Sequence, residues 1–318
     1  MTTLTAISQL SALPGPVALA IGVFDGVHLG HQEVIRDALD FSENHRGTAV
    51  VMTFDPHPIK VLRPEAAPRL LCSNRHKLRI LDKLGVSHTL VVTFDEAMAQ
   101  TPAEQFVDAL VAACRPLGFI SVGYTWAFGK GRSGNIHRLM ELGEAHGFGV
   151  YGVPAVQVDG ETVSSTLIRE AVRAGDFARA KKFLGRDYTV LGKVVKGKQL
   201  GRQLGFHTAN VAVENEELPP SGVYAVRVQG SGPSGKASQF DVQGWKGVAN
   251  LGFRPTVDPG ATERALEVHL LDYEGDLYGA EMEVAFIKQL REEKKFAGLD
   301  ELKQQIARDV AEARMVLG

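Results

Sequence analysis

Two histidines three residues apart, His28 and His31, flank Gly30 at the end of the stretch V-A-L-A-I-G-V-F-D-G-V-H-L-G-H, residues 17–31. Imidazoles at that spacing in a first helical turn project from one face, beside backbone N–H groups that favour anions. Phe24, Asp25 and Gly26 turn the chain just ahead of them, and Gly30 has no side chain to keep a ligand from the backbone. This suits phosphate binding. The plainer reading is a surface histidine pair, and a metal site would need further ligands. Downstream, Ser164, Ser165 and Thr166 set hydroxyls ahead of a helix that carries Arg169. Such hydroxyls cap helices, and a guanidinium fork beside them also suits phosphate oxygens. In the last third, Thr208 and Asn210 stand two apart, on one side of an extended segment, after a Gly-rich run that opens at Gly201. Their oxygens suit Mg²⁺ with nucleotide phosphates, or the run is an ordinary loop. Glu267 interrupts the apolar run A-L-E-V-H-L-L, with His269 on its face. It is either an outward-facing carboxylate or a general base held in a pocket. His57, between two prolines in D-P-H-P, is placed to reach a substrate or to cap the turn.

The elements that must position these groups come in two kinds. A chain of 318 residues is long enough for about two domains. From residue 17 to 156, apolar runs alternate with helical periodicity: strands at 17–23, 48–54, 88–94, 119–123 and 150–156, with helices at 32–44, 73–84, from Thr101-Pro102 onward, and 135–146. This is the signature of a doubly wound α/β domain with a parallel sheet, whose strand ends bind ligands. A helix at 176–184 closes it, giving a domain over 1–185. Over 186–318 short alternating runs (188–195, 222–228, 245–251, 266–271 and 282–287) follow one another without helices between them, and a helix at 299–317 ends the chain. That pattern predicts a small closed antiparallel barrel with a terminal helix packed on it.

Two G-x-G-x-x-G matches occur, at Gly129-Gly131-Gly134 and starting at Gly230. Neither directly follows a first strand as a dinucleotide-binding fingerprint should, and Lys130 is followed by Gly131, which excludes a Walker loop. The first loop carries Lys130 and Arg132 and stays open as a phosphate-facing loop. A formal net charge of −2 argues against a surface that coats nucleic acid or membrane. Cys72 and Cys114 have no metal-like spacing and read as buried apolar residues. There is no signal-peptide pattern and no run near the ~20 apolar residues of a membrane span. The expectation is a cytoplasmic protein with small-molecule partners and no evident nucleic-acid, membrane or obligatory protein partner.

Several segments together resemble the prokaryotic bifunctional riboflavin kinase/FMN adenylyltransferases (FAD synthetases). G-V-F-D-G-V-H-L-G-H, T-F-D-P-H-P and S-S-T-L-I-R are similar to the adenylyltransferase half. G-R-Q-L-G-F-H-T-A-N, G-V-Y-A-V-R-V, G-V-A-N-L-G-F-R-P-T, L-E-V-H-L-L-D and D-L-Y-G are similar to the kinase half, in the family's order over essentially the whole chain. The resemblance implies riboflavin phosphorylation to FMN and FMN adenylylation to FAD, with ATP, riboflavin and FMN as substrates and Mg²⁺ as cofactor. It implies that His28 and His31 stabilise charge on the ATP phosphates, with Gly22, Phe24, Asp25, Gly26, Gly30, Ser164, Ser165, Thr166 and Arg169 around the nucleotide. It implies that Gly201, Thr208 and Asn210 bind nucleotide, that Thr208 and Asn210 hold the metal, and that Glu267 is the kinase base. Flavin contacts fall to His57 and Arg254. Two departures stand out: His207 replaces the usual Pro of P-T-A-N, and Thr125-Trp126-Ala127-Phe128 replaces D-F-R-F. Losing the proline relaxes φ and favours an alternative, a single-activity nucleotidyltransferase whose barrel only binds flavin.

Overall fold

The computed structural model describes residues 1–196, 206–231, 244–255 and 262–318. They form two compact units, Met1–Arg69 with Asn74–Ser165, and Leu70–Ser73 with Thr166–Gly318.

The first unit runs β1 (Thr2–Leu4), β2 (Val17–Ile21), α1 (Leu29–Asn44), β3 (Thr48–Asp55), α2 (Pro58–Leu62), α3 (Asn74–Lys83), β4 (His88–Thr93), α4 (Glu96–Ala99), α5 (Ala103–Ala113), β5 (Leu117–Gly123), α6 (Ile136–His146) and β6 (Gly149–Val153), then a small hairpin of β7 (Gln157–Val158) and β8 (Glu161–Thr162). Its sheet has the order β1-β4-β3-β2-β5-β6, and every neighbouring pair is parallel. The order reverses at β2, which lies between β3 and β5, so the crevice outside the carboxyl ends of β2 and β5 is the natural ligand position. All five residues of β2 are buried, as a strand covered on both faces requires. Leu19, Ile21, Met52 and Ile120 anchor the core on which α5 and α6 set Leu110 and Leu139. The fully buried Ser121 hydroxyl donates to Asp37 of α1 at 3.1 Å, tying that helix across the switch point to β5. Burial raises the Asp37 carboxyl above the usual range. β1 has no counterpart in the sequence reading because three residues are too few to display alternation.

The second unit contains α7 (Ser165–Arg173) from Thr166 onward, α8 (Phe177–Leu184), β9 (Thr189–Val195), β10 (Ala209–Val213), β11 (Gly222–Ser231), β12 (Trp245–Pro255), β13 (Thr262–Leu270), β14 (Glu281–Arg291) and α9 (Leu299–Leu317). Its strands close a barrel in the order β10-β13-β12-β11-β14-β9. Six strands form it where periodicity indicated five, since β10 begins within the polar run around Thr208 and Asn210, which the sequence leaves open as an extended segment or an ordinary loop. The terminal helix sets Ala313 and Leu317 against Val223, Ala225, Val248 and Leu271. Arg291 grips Asp309 of α9 through Nε and Nη2, both within 3.1 Å of its carboxylate.

The expected closure of the first domain by the helix at 176–184 is corrected. That helix packs Phe177 on the rings of Phe286 and Tyr224, 5.7 and 5.8 Å between centroids, so its apolar face is covered by the barrel unit. α7 joins it there through Arg173, whose Nη2 lies 2.6 Å from Glu217. Four residues from early in the chain also belong to this unit. Leu70 donates to the Asn215 carbonyl at 3.0 Å and accepts from the Glu217 N–H at 2.6 Å. The carboxylate of Glu216, with no exposed surface, accepts from the N–H of Ser73 at 2.7 Å and of Leu191 at 2.9 Å. Glu216→Ala orphans both donors and is expected to cost roughly 2–4 kcal/mol. The check is urea unfolding followed through Trp245 in a Trp126→Phe background, and an unchanged midpoint would contradict it.

Candidate active sites

The first site grows from the end of β2. Phe24 and Val27 hold left-handed backbone conformations, φ 52° and 42°, with Gly26 at 81°. A β-branched residue at positive φ is strained, and such strain persists only where the surroundings over-determine it. Gly22 allows the reversal, since a Cβ there would stand 3.0 Å from the Phe24 ring. His28 then caps α1, its Nδ1 accepting the His31 N–H at 3.3 Å. The helix therefore starts at Leu29, earlier than periodicity indicated. An accepting Nδ1 carries no proton, so His28 presents an Nε2–H. The two imidazoles stack, 3.5 Å between centroids and 17° between planes, and Phe24 meets His31 edge-on at 5.3 Å. Every imidazole carries at least one ring N–H, so the pair offers two donors. Gly30 matters sterically: a Cβ would lie 3.3 Å from His28 Cε1. His28 is buried and His31 half-buried.

The Ser165 hydroxyl donates to the Asp25 carbonyl at 2.9 Å, which ties Ser165 to the turn. Asp25 is buried and Ser164 half-buried. Thr166 and Arg169 lie further along α7, within the second unit, the former exposed and the latter buried. His57 caps α2 by accepting the Ile59 N–H at 3.1 Å, the more modest of its two readings. The first G-x-G-x-x-G is a packing turn. A Cβ at Gly129 would lie 2.7 Å from the Ala103 backbone, and one at Gly134 2.6 Å from the Phe128 ring. Trp126 stacks on that ring at 4.6 Å. The second match runs from Gly230 out of the described residues, as do Gly201 and the side chain of Arg254.

The second site lies on the barrel. Asn210 of β10 pairs opposite Glu267 of β13, which pairs in turn opposite Asn250 of β12. The three side chains therefore share one face of the wall. Glu267, Asn250 and His269 line a cavity of about 350 Å³ with Phe206, Phe296 and Ile306. A second cavity, about 570 Å³, opens among Val194, Ala209, Leu270, Tyr273 and Asp276. Thr208 borders both, whereas Asn210 is buried in the wall beside Glu267. The loop carrying Thr208 is held where the proline is missing: the His207 carbonyl accepts from His269 Nδ1 at 2.9 Å. The two cavities share the Thr208 hydroxyl, and each also carries carboxylates, Glu267 and Glu293 in the one and Glu274 and Asp276 in the other.

The FAD synthetase family model matches residues 11–167, and the riboflavin kinase model residues 184–317. The bifunctional riboflavin kinase/FMN adenylyltransferase of Escherichia coli K12 is 38% identical over all of this chain and 98% of its own length. The chain belongs to the bifunctional riboflavin kinase/FMN adenylyltransferase family. Its relative of the same description in Pseudomonas fluorescens is 39% identical, over 92% of this chain and 91% of that one. The family's fold also recurs in the crystal structure of a macrolide-efflux protein from Streptococcus pneumoniae, at a TM-score of 0.81 and 28% identity, covering 99% of each chain. Among the described residues no helix is long and apolar enough to cross a membrane. Sequence reading of this family member passed over Asn250, Phe206 and Arg291 as site residues. The only signal for Asn250 is an amide in the apolar run G-V-A-N-L-G, and Arg291 carries no local signature at all.

Proposed function

We propose that the chain performs both family reactions with ATP, at two separate sites: riboflavin to FMN, then FMN to FAD. The observation that carries this is the full-length likeness to a bifunctional relative, with one family model on each half. The functional division falls near 1–185 for adenylyl transfer and 186–318 for the kinase, although α7 and α8 pack with the barrel unit. At the β2 turn, an FMN phosphate oxygen attacks the α-phosphorus of ATP, the α–β phosphoanhydride bond breaks, and pyrophosphate leaves. His28 and His31 donate N–H to the phosphates as charge builds, and the turn from Gly22 to Gly30, with Ser164, Ser165 and Thr166, binds the nucleotide. Arg169 adds a fixed positive charge. Positioning and charge neutralisation suffice for such a transfer, without a covalent intermediate.

On the barrel, Glu267 takes the proton of the ribityl 5′-hydroxyl as its oxygen attacks the γ-phosphorus of ATP, and ADP leaves. Flavin occupies the cavity bearing Glu267, and nucleotide the other; Gly201 is assigned to nucleotide from the resemblance. Thr208 and Asn210 would hold Mg²⁺. Hydroxyl and amide oxygens are hard ligands of the kind Mg²⁺ takes beside waters and nucleotide oxygens. When bound it neutralises phosphate charge. His57 and Arg254 are assigned to flavin from the resemblance. A cytoplasmic setting accords with the use of ATP.

Incubation with riboflavin, ATP and Mg²⁺ is expected to yield FMN and then FAD by chromatography, and a chelator to stop both. Absence of both products would refute the assignment. FAD formed only from supplied FMN would favour the single-activity alternative.

A further inference from the structure

Behind the first site lies a lysine that the reactions above do not use. Lys77, on α3, is 5% exposed, unusual for a side chain whose head group prefers water. Its ammonium donates to the Val23 carbonyl at 2.8 Å and to the Thr53 hydroxyl at 3.0 Å. Thr53, on β3 with no exposed surface, donates its own hydroxyl to the same carbonyl at 3.0 Å. One backbone oxygen thus receives two donors, one of them charged, from two different elements.

The position of that oxygen gives the arrangement its meaning. Val23 immediately precedes Phe24, where the backbone enters the left-handed region, and Val27 enters it again before His28. Strained residues of this kind relax unless their flanks are fixed. The capping bond of His28 fixes the far flank of the turn, and the near flank is fixed at Val23. Charge-assisted bonds in a dry setting are the stiffest available for the purpose.

We propose that Lys77 is a positioning residue for adenylyl transfer: its ammonium, seconded by Thr53, clamps the Val23 carbonyl and so sets the turn that delivers His28 and His31. This rests on the proposed assignment of that site. A tie between α3 and the sheet with no bearing on the reaction is the competing account, and kinetics separate the two. A loosened turn misplaces groups that act as charge develops, so the loss belongs in kcat.

The test uses the full chain, assayed for FAD from supplied FMN and ATP and, in the same preparation, for FMN from riboflavin. Lys77→Met keeps the aliphatic stem and removes the charge. It is expected to lower kcat for FAD formation about ten- to hundredfold, to leave the KM for ATP within about threefold, and to leave riboflavin phosphorylation within about twofold. Thr53→Val should lower the same kcat by a smaller factor, and it decides the matter if Lys77→Met does not fold. Full FAD turnover in both variants, a loss confined to the KM for ATP, or an equal fall in phosphorylation would overturn the proposal. A wild-type chain that makes no FAD at all would instead sink the site assignment, and this inference with it.

Discussion

His31→Ala is expected to cut FAD formation by about 10²–10³-fold, the usual cost of removing a donor aimed at developing phosphate charge, while FMN formation from riboflavin continues at the wild-type rate. The imidazole is half-buried and stacked on His28, so truncation removes one N–H donor and leaves its neighbour without a stacking partner. The helix start survives, because the capping bond runs from the His31 backbone to the His28 ring and does not need the His31 side chain. Chromatography of flavins formed from riboflavin and ATP would show FMN accumulating without FAD. A parallel loss of both products would mean that the histidine supports the fold, or that the two reactions share a site.

Glu267→Ala should give the mirror image. Removing a general base typically costs about 10²–10⁴-fold, so riboflavin would persist unphosphorylated while supplied FMN is still adenylylated. The flanking residues keep their places in this variant. Leu266 and Val268 face the barrel interior and are buried, whereas position 267 points to the cavity wall between Asn210 and Asn250. Glu267→Gln keeps the shape and removes the basicity, and it should be nearly as impaired. A glutamine variant with native turnover would assign the proton to another acceptor.

The parts of this architecture legible in the sequence were those where one pattern has one cause. A fully apolar run followed by Asp-Gly and Gly-flanked histidines yields β2, its turn and α1, because only a strand covered on both faces tolerates seven consecutive apolar residues. The alternation of short runs after residue 186 yields the barrel for a similar reason. β10 does not stand out because Asn210 interrupts its few apolar residues and a polar, Gly-rich run precedes them, and a strand whose side chains serve a site does not look like one built for a core. α8 displays an apolar face, but periodicity cannot say which surface covers it, and the barrel does. Lys77 has no mark of its own in the helix at 73–84, since nothing local distinguishes a lysine that bends inward from one in water. Asn250 and Arg291 came to their cavity only through strand register and the packing of α9.

The composite make-up of the barrel unit bears on how the polypeptide comes to be made. Leu70–Ser73 leave the ribosome well over a hundred residues before Glu216 emerges, so on a nascent chain their amides wait in water for an acceptor not yet synthesised. Assembly of the later half is therefore not a private event of its own residues. A chimaera that exchanges everything after residue 165 between relatives inherits a carboxylate and a foreign tetrapeptide to satisfy it, and grafts that move 70–73 together with the tail should be the ones that express as folded protein.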